Sequence, residues 1–414
     1  MDAAATMTSG SMAPARSRLE LSLLLVAAGF FFLPYMNLRP KTLLFTFSDL
    51  LFLLSASVFL LRARLSIAPF GSWTPVWLIS VVMLIGGLLI SSLANNATDR
   101  WLSVGAQYAF SLLILPMVFA VSTWARWTTL ARALVLGVIG MEILTFSILN
   151  YYGWDYEAIS SRYGNDFYTG VGRVSGFIGG ANLHAAVLCM TIPFVYYLRL
   201  IGKLPLPIFL VAIAAIGAGV FYSASVTGFA SMILVSGIFV VLSRIRISPK
   251  FIAGAAAAAA VFVLSGAPMP KAFDKRVGSA LESGKIEDAG TYADRAELIK
   301  EAWEMANESM VIGIGVDNYR KESIHKMPVH NIFMLLWVEG GLVAVMGWLG
   351  IIGVLGVAGV TMLRRRPLDA ALALSVLAVL VIYSIAAPHM YARVWMAPVL
   401  LAAAPVFARL RSGG

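Results

Sequence analysis

Apolar runs of about twenty residues recur along this chain and constrain its fold more than any other feature. They lie near 19–36, 43–61, 76–94, 101–121, 129–150, 180–198, 205–222, 225–243, 250–266, 331–361, 369–387 and 392–408. As helices, these runs make about twelve crossings of roughly 30 Å of hydrocarbon each. The short alternating segments of a barrel are absent. Composition agrees: 60% of residues are hydrophobic and 13% charged, with a mean hydropathy of +0.85. Soluble domains run at about 45–50% apolar and roughly 25% charged. A soluble enzyme, a disordered chain and a simple nucleic-acid binder are thereby excluded, and the reading is an all-α polytopic membrane protein. The single cysteine, Cys189, lies in an apolar run, so an intrachain disulfide is impossible and the redox compartment is not legible from it.

The net charge of +10 sits mostly in short loops, where basic residues set topology. One alternate set of loops carries Arg16, Arg18, Arg62, Arg64, Arg126, Arg199, Lys203, Arg244, Arg246, Lys250, Arg364, Arg365, Arg366, Arg409 and Arg411. The other short loops carry Arg39, Lys41, Arg100, Arg162, Arg173 and Arg393. The richer set is expected to be cytoplasmic, together with both termini. The first run follows Arg16 and Arg18 as a signal peptide would. However, Phe32-Leu33-Pro34-Tyr35 stands where a small-residue cleavage site belongs, so the run reads as an uncleaved first helix. The 331–361 run is longer than one crossing needs and contains Glu339-Gly340-Gly341, which predicts a tilted, bent or partly emergent helix.

Two long loops fall on the opposite, outer face: 151–179, rich in Tyr, Gly and Ser, and 267–329, which holds about half of the chain's acidic residues. The chain thus divides into nine spans over 1–266, with the loop near 151–179 among them, a large loop over 267–329, and three spans over 330–414. Any chemistry is expected in those loops. Within the second, 291–310 reads as an amphipathic helix. Thr291 fits its N-cap and Asp294 its acidic first turn. Ala293, Leu298, Ala302 and Ala306 recur at helical spacing, with Ile299 and Trp303 beside them. Gly313-Ile314-Gly315 then ends the helix in a turn.

Each polar candidate has a structural reading beside a chemical one. His330, at the entrance to an apolar run, is either an interfacial cap or a general base titrating near neutral pH. Asn331 either orients that ring or bonds the backbone. Arg173 and Arg295 are either ordinary loop cations or a bidentate grip on phosphate. Glu339 is balanced between helix packing and lining a site, whereas Asp49 and Glu142 lean towards structure, because an ionisable group within a span needs a partner. Asn182 and His184, in Gly179-Gly180-Ala181-Asn182-Leu183-His184, are either packing glue or a polar rim. A Walker loop, an H-E-x-x-H zinc pair and a G-x-S-x-G elbow are all missing, and four histidines with one cysteine do not make a zinc set.

The run Val329-His330-Asn331-Ile332-Phe333-Met334-Leu335-Leu336-Trp337-Val338-Glu339-Gly340-Gly341-Leu342, in a polytopic chain with a large loop ahead of it, resembles the O-antigen ligase and polymerase superfamily of bacterial envelope glycosyltransferases. Asp294-Arg295, Trp303, Gly313-Ile314-Gly315 and Asn318-Tyr319 are similar to its loop leading to the histidine. Arg173-Val174-Ser175-Gly176-Phe177 with Asn182 is similar to its arginine-bearing segment. One departure stands out: where many members carry an arginine after a serine, Ser223-Ala224-Ser225-Val226 has valine.

The resemblance implies a GT-C-like fold with a partly helical periplasmic loop in the bacterial inner membrane. It also implies a donor glycan on undecaprenyl pyrophosphate, and as acceptor either lipid A-core or another lipid-linked glycan. By the same resemblance His330 is the catalytic base, and Arg173, Arg295, Asn182, Asn331 and Glu339 bind substrate. The reaction would invert the anomeric carbon and need no metal or soluble cofactor. A secondary transporter is the main competing class, with a lipid-linked glycan flippase behind it. Against the transporter stands the absence of an inverted repeat; against the flippase, the lack of a task for the long loop.

Overall fold

The computed structural model describes residues 21–39, 45–62, 65–120, 124–245, 271–274 and 292–411. The expected span at 250–266, the start of the first run, the Thr291 cap and the side chains of Ala293 and Asp294 lie outside the described residues.

In chain order the helices are α1 (Leu21–Phe32), α2 (Phe47–Leu61), α3 (Thr74–Ala94) and α4 (Thr98–Phe119), the last with a π turn at Phe110–Ile114. Then come α5 (Trp124–Tyr151), a short α6 (Tyr156–Tyr163), α7 (Ala181–Leu200), α8 (Leu206–Tyr222) and α9 (Val226–Ser243). The long loop contributes α10 (Tyr292–Glu308) and α11 (Tyr319–Glu322). The chain closes with α12 (Ile332–Met362), α13 (Pro367–Ala386) and α14 (Arg393–Arg411). Eight of the described helices are long and apolar enough to cross a membrane, and α1, α2 and α8 are shorter apolar helices. The fold is therefore all-α and polytopic.

The packing follows from where small residues sit. α3 lies along α12, and a Cβ added to Gly347 would come within 2.4 Å of the Leu84 nitrogen. The two backbones touch at that crossing, the small-residue contact that spans use in place of a hydrophobic drive. On α3, Trp77, Val81, Leu84 and Leu88 are buried, whereas Val76, Ile79, Val82, Ile90 and Leu93 are exposed. That second stripe is an apolar patch suited to lipid.

Several ionisable side chains inside the bundle are paired, as their desolvation demands. Asp49 caps α2 through Thr46 and accepts from Arg393 Nε at 2.7 Å and from Nη2, while Arg393 Nη1 donates to Gln107 Oε1 at 3.1 Å. Glu142 pairs with His184 Nε2 at 2.5 Å. Tyr197 donates to Asp369.

The turns expected on one face do meet at one end of the bundle. Asn37, beyond α1, donates its backbone N–H to the Phe177 carbonyl at 2.8 Å. Asn95, beyond α3, donates to the Gly313 carbonyl at 3.1 Å, and Arg100 on α4 pairs with Asp317 at 3.1 Å.

Candidate functional site

The site is built around a break in α12. Gly341 has φ 68° and ψ −176°, so the helix stops and restarts there. A break frees backbone groups that would be costly in an apolar interior, and the loop residues 310–316 take them up. Ile314 donates to the Val338 carbonyl at 2.8 Å, Gly315 to the Glu339 carbonyl at 3.1 Å, and Leu342 donates back to Met310 at 3.1 Å. Only glycine fits at the break, since a Cβ on Gly341 would fall 2.0 Å from the Val311 oxygen, at a positive φ besides. From the other side Ser91 and Ser92 of α3 accept from Gly315 N at 2.7 Å and Val316 N at 3.2 Å. The loop is thus stitched between α3 and α12. The bend expected from Glu339-Gly340-Gly341 is found, and its function is to dock the loop.

Glu339 completes the dock. It is 6% exposed, and its carboxyl group faces the backbone at Asp317 and Tyr319. It also lines a small cavity of about 20 Å³ with Arg100, Tyr108, Asp317, His389 and Tyr391. Glu339 thus packs into the dock and faces a small cavity.

The amphipathic helix forms as α10. Leu298, Ala302 and Ala306 are buried, and Trp303 meets Trp337 of α12 edge-on at 5.2 Å. Glu301 ties α10 to the next turn, accepting from Tyr319 Oη at 3.2 Å, Ser323 Oγ at 2.9 Å and Ile324 N at 2.6 Å. This fixed helix carries Arg295, half-buried, within electrostatic reach of His330.

His330 sits just ahead of α12. Among the described residues its Nδ1 is buried without a hydrogen-bond partner. Burial, then the Arg295 charge, hold its pKa below the ordinary histidine value, with a backbone hydrogen bond at Pro328 acting the other way. Burial and the neighbouring charge thus both disfavour the protonated ring. Asn331 is the N-cap of α12, its Oδ1 accepting from Phe333 N at 3.0 Å and Met334 N at 3.2 Å. That oxygen is committed to the backbone.

Arg173 and Asn182 form a second node. A tight turn, held by Thr169 N to the Arg173 carbonyl at 2.9 Å and by Arg173 N to Thr169 Oγ1 at 3.0 Å, presents the arginine. Its Nε donates to the Ser223 carbonyl at 2.9 Å and its Nη2 to Asn182 Oδ1 at 2.8 Å; Ser225 Oγ donates to the same oxygen at 3.1 Å. The guanidinium on the serine turn between α8 and α9 is therefore that of Arg173, on the very turn where Val226 departs from the pattern. His184 supports this node from below, its Nδ1 3.2 Å from the Val174 carbonyl.

Several residues at the same end were named in the sequence only as loop charges or not at all. His389 is one; burial, opposed by Asp317 and helped by Arg100 and His330, pushes its pKa down to about 4. Tyr391, Arg100 and Arg393 are others. Nothing local marks Arg100 and Arg393, because each sits near a helix start and its partner is hundreds of residues away. The only available hint was Asp49, an acid at a span end that needed a cation.

Residues 209–349 match the O-antigen ligase family model. The matched segment runs from α8 through the docked loop and His330 to the restart of α12; Arg173 and Asn182 lie just ahead of it, and His389 and Arg393 beyond it. No curated protein matches the chain. Fold and site define an all-helical polytopic membrane protein with a loop-built site at one end of its bundle. Its family match supports the O-antigen ligase and polymerase superfamily, and with it a membrane protein that joins or polymerises glycans.

Proposed function

We propose that the protein transfers a glycan from undecaprenyl pyrophosphate to a hydroxyl of an acceptor sugar. The observation that carries this reading is the unpartnered Nδ1 of His330, buried beside the Arg295 charge, which together with burial disfavours the charged ring. His330 takes the proton from the acceptor hydroxyl as its oxygen bonds the anomeric carbon. The carbon–oxygen bond to pyrophosphate breaks with its electron pair on the leaving phosphate. Arg173 and Arg295 hold that pyrophosphate and stabilise the charge it gains. Asn182 orients Arg173, Asn331 fixes the start of α12 under His330, and Glu339 holds the loop beside it.

A direct displacement inverts the anomeric configuration, and the two arginines supply the charge that a metal gives other pyrophosphate sites. Positive loops opposite the site argue for a bacterial inner membrane with both termini cytoplasmic and the site in the periplasm. The acids that a transporter would need at midplane are engaged otherwise: Asp49 by Arg393, Glu142 by His184, Glu339 by loop backbone.

The test is transfer by purified, EDTA-treated protein from a lipid-pyrophosphate-linked glycan, offered lipid A-core or a second lipid-linked glycan. The expected product is inverted at the anomeric carbon, and the productive acceptor identifies ligase or polymerase. Absence of transfer with either acceptor refutes the reading.

A further inference from the structure

Three consecutive apolar side chains are left uncovered where the long loop docks. Met310, Val311 and Ile312 are exposed, Val311 to 62%, although the chain that carries them is bonded inward. The Met310 carbonyl accepts from Leu342 N at 3.1 Å and from Trp337 Nε1 at 3.2 Å, and Gly313 N donates to the Ser309 carbonyl at 2.8 Å. The Val311–Ile312 backbone lies against Gly341. Directly after Gly341, Leu342, Val343, Met346 and Leu349 are exposed apolar side chains of a span. The loop patch therefore continues a stripe that already faces lipid. Trp303 of α10, exposed beside Trp337, borders it.

Two helices measure the depth of this patch. Beyond the break, Leu342–Met362 rises about 30 Å at roughly 1.5 Å per residue, the thickness of the hydrocarbon. Exposed Arg364, Arg365 and Arg366 mark the headgroups at its far end. α3, of 21 residues, covers the same thickness and stops at Ala94; the next residue, Asn95, holds the Gly313 carbonyl. Both rulers put 310–313 at the edge of the hydrocarbon on the loop-bearing side.

We propose that Met310, Val311 and Ile312, with Trp303, form a wedge seated in the bilayer, its occupant the acyl chains just beneath the phospholipid headgroups. A turn bonded inward along its backbone can face hydrocarbon without stranding those groups, and tryptophan is the side chain that settles at this depth. The exposed carboxylates nearby do not oppose the placement. Glu304 and Glu308 are turned about 100° and about 140° around α10 from Trp303, at roughly 100° per residue, so the ring can meet lipid while they meet water. The loop is thus held from two sides, by the glycine break in α12 and by the membrane. This wedge does not depend on the transferase reading.

The test maps lipid contact on the unaltered chain. Protein in vesicles of phosphatidylethanolamine and phosphatidylglycerol, with a diazirine near the carbonyl end of one acyl chain, is irradiated, digested and mapped by mass spectrometry. Adducts are expected on Trp303 and 310–312 as well as on 342–349, and not on exposed Arg320 and Lys321 of the same loop. The double variant Val311→Asp with Ile312→Asp loses the 310–312 adducts and keeps those on 342–349, the sign that its spans remain in the bilayer. Labelling of 342–349 without 310–312 in the wild type overturns the proposal. So do adducts on Lys321 equal to those on Val311, or 310–312 adducts that persist in the double variant.

Discussion

Two halves of the loop-bearing end are built in opposite ways. Around His330 the structure is made of backbone: a glycine break in α12, with loop amides and carbonyls filling the groups the break exposes. Around Arg393 it is made of side chains: a buried arginine and aspartate 344 positions apart, with Gln107 completing the cation's bonds. Backbone construction leaves a mark in the sequence, because only glycine tolerates the geometry. Side-chain construction leaves almost none, because either partner alone looks like an ordinary loop charge. The halves should therefore fail differently when broken.

The Arg393 half should lose stability. Removing one partner of a buried pair strands the other, at a cost of about 3–5 kcal/mol. Asp49→Ala is expected to lower the thermal midpoint in detergent sharply, and the double variant Asp49→Leu with Arg393→Met to recover much of it. Equal loss in single and double variants would show that the pair's geometry, not its stranded charge, holds the turns together.

The His330 half should lose activity first. Gly341→Val forces a Cβ into the Val311 carbonyl and undocks the loop. Displacement of about 1 Å at a reacting centre costs roughly a hundredfold. Transfer is expected to fall by about that factor, with faster proteolysis of the 310–316 segment and little change in the thermal midpoint. A variant that melts early with its loop still protected would erase the contrast between the halves.

The smallest effect is a shift along the pH axis. Arg295 disfavours the imidazolium of His330, so removing it raises the histidine pKa towards its ordinary value. A base works when neutral, so the acidic limb of kcat/KM should move to higher pH in Arg295→Gln, whatever happens to the plateau. A limb that stays in place would separate Arg295 from His330.

The same contrast explains what could be read in advance. Apolar runs gave the helices closely: 331–361 becomes Ile332–Met362, and 291–310 becomes Tyr292–Glu308 with its stripe of Leu298, Ala302 and Ala306 inside. Glu339-Gly340-Gly341 pointed to the bend, which the structure shows at Gly341. What it docks was not legible, because the loop's bonds to Val338 and Glu339 are backbone bonds that carry no residue code. Arg173 could be singled out, but its seat on the Ser223 turn could not, since that turn lies fifty residues away. His389 and Tyr391 gave no signal at all. Their place beside Glu339 comes from the α13–α14 turn, which lines the same small cavity.

The central claim is that His330 accepts the acceptor's proton. It is tested most directly by His330→Ala in a single-turnover assay, with donor affinity measured on the same preparation. Transfer is expected to slow by about 10²–10⁴-fold, the usual contribution of a general base, while donor binding through Arg173 and Arg295 stays within about twofold. Undiminished transfer would contradict the account and return His330 to the role of an interfacial cap at the head of α12.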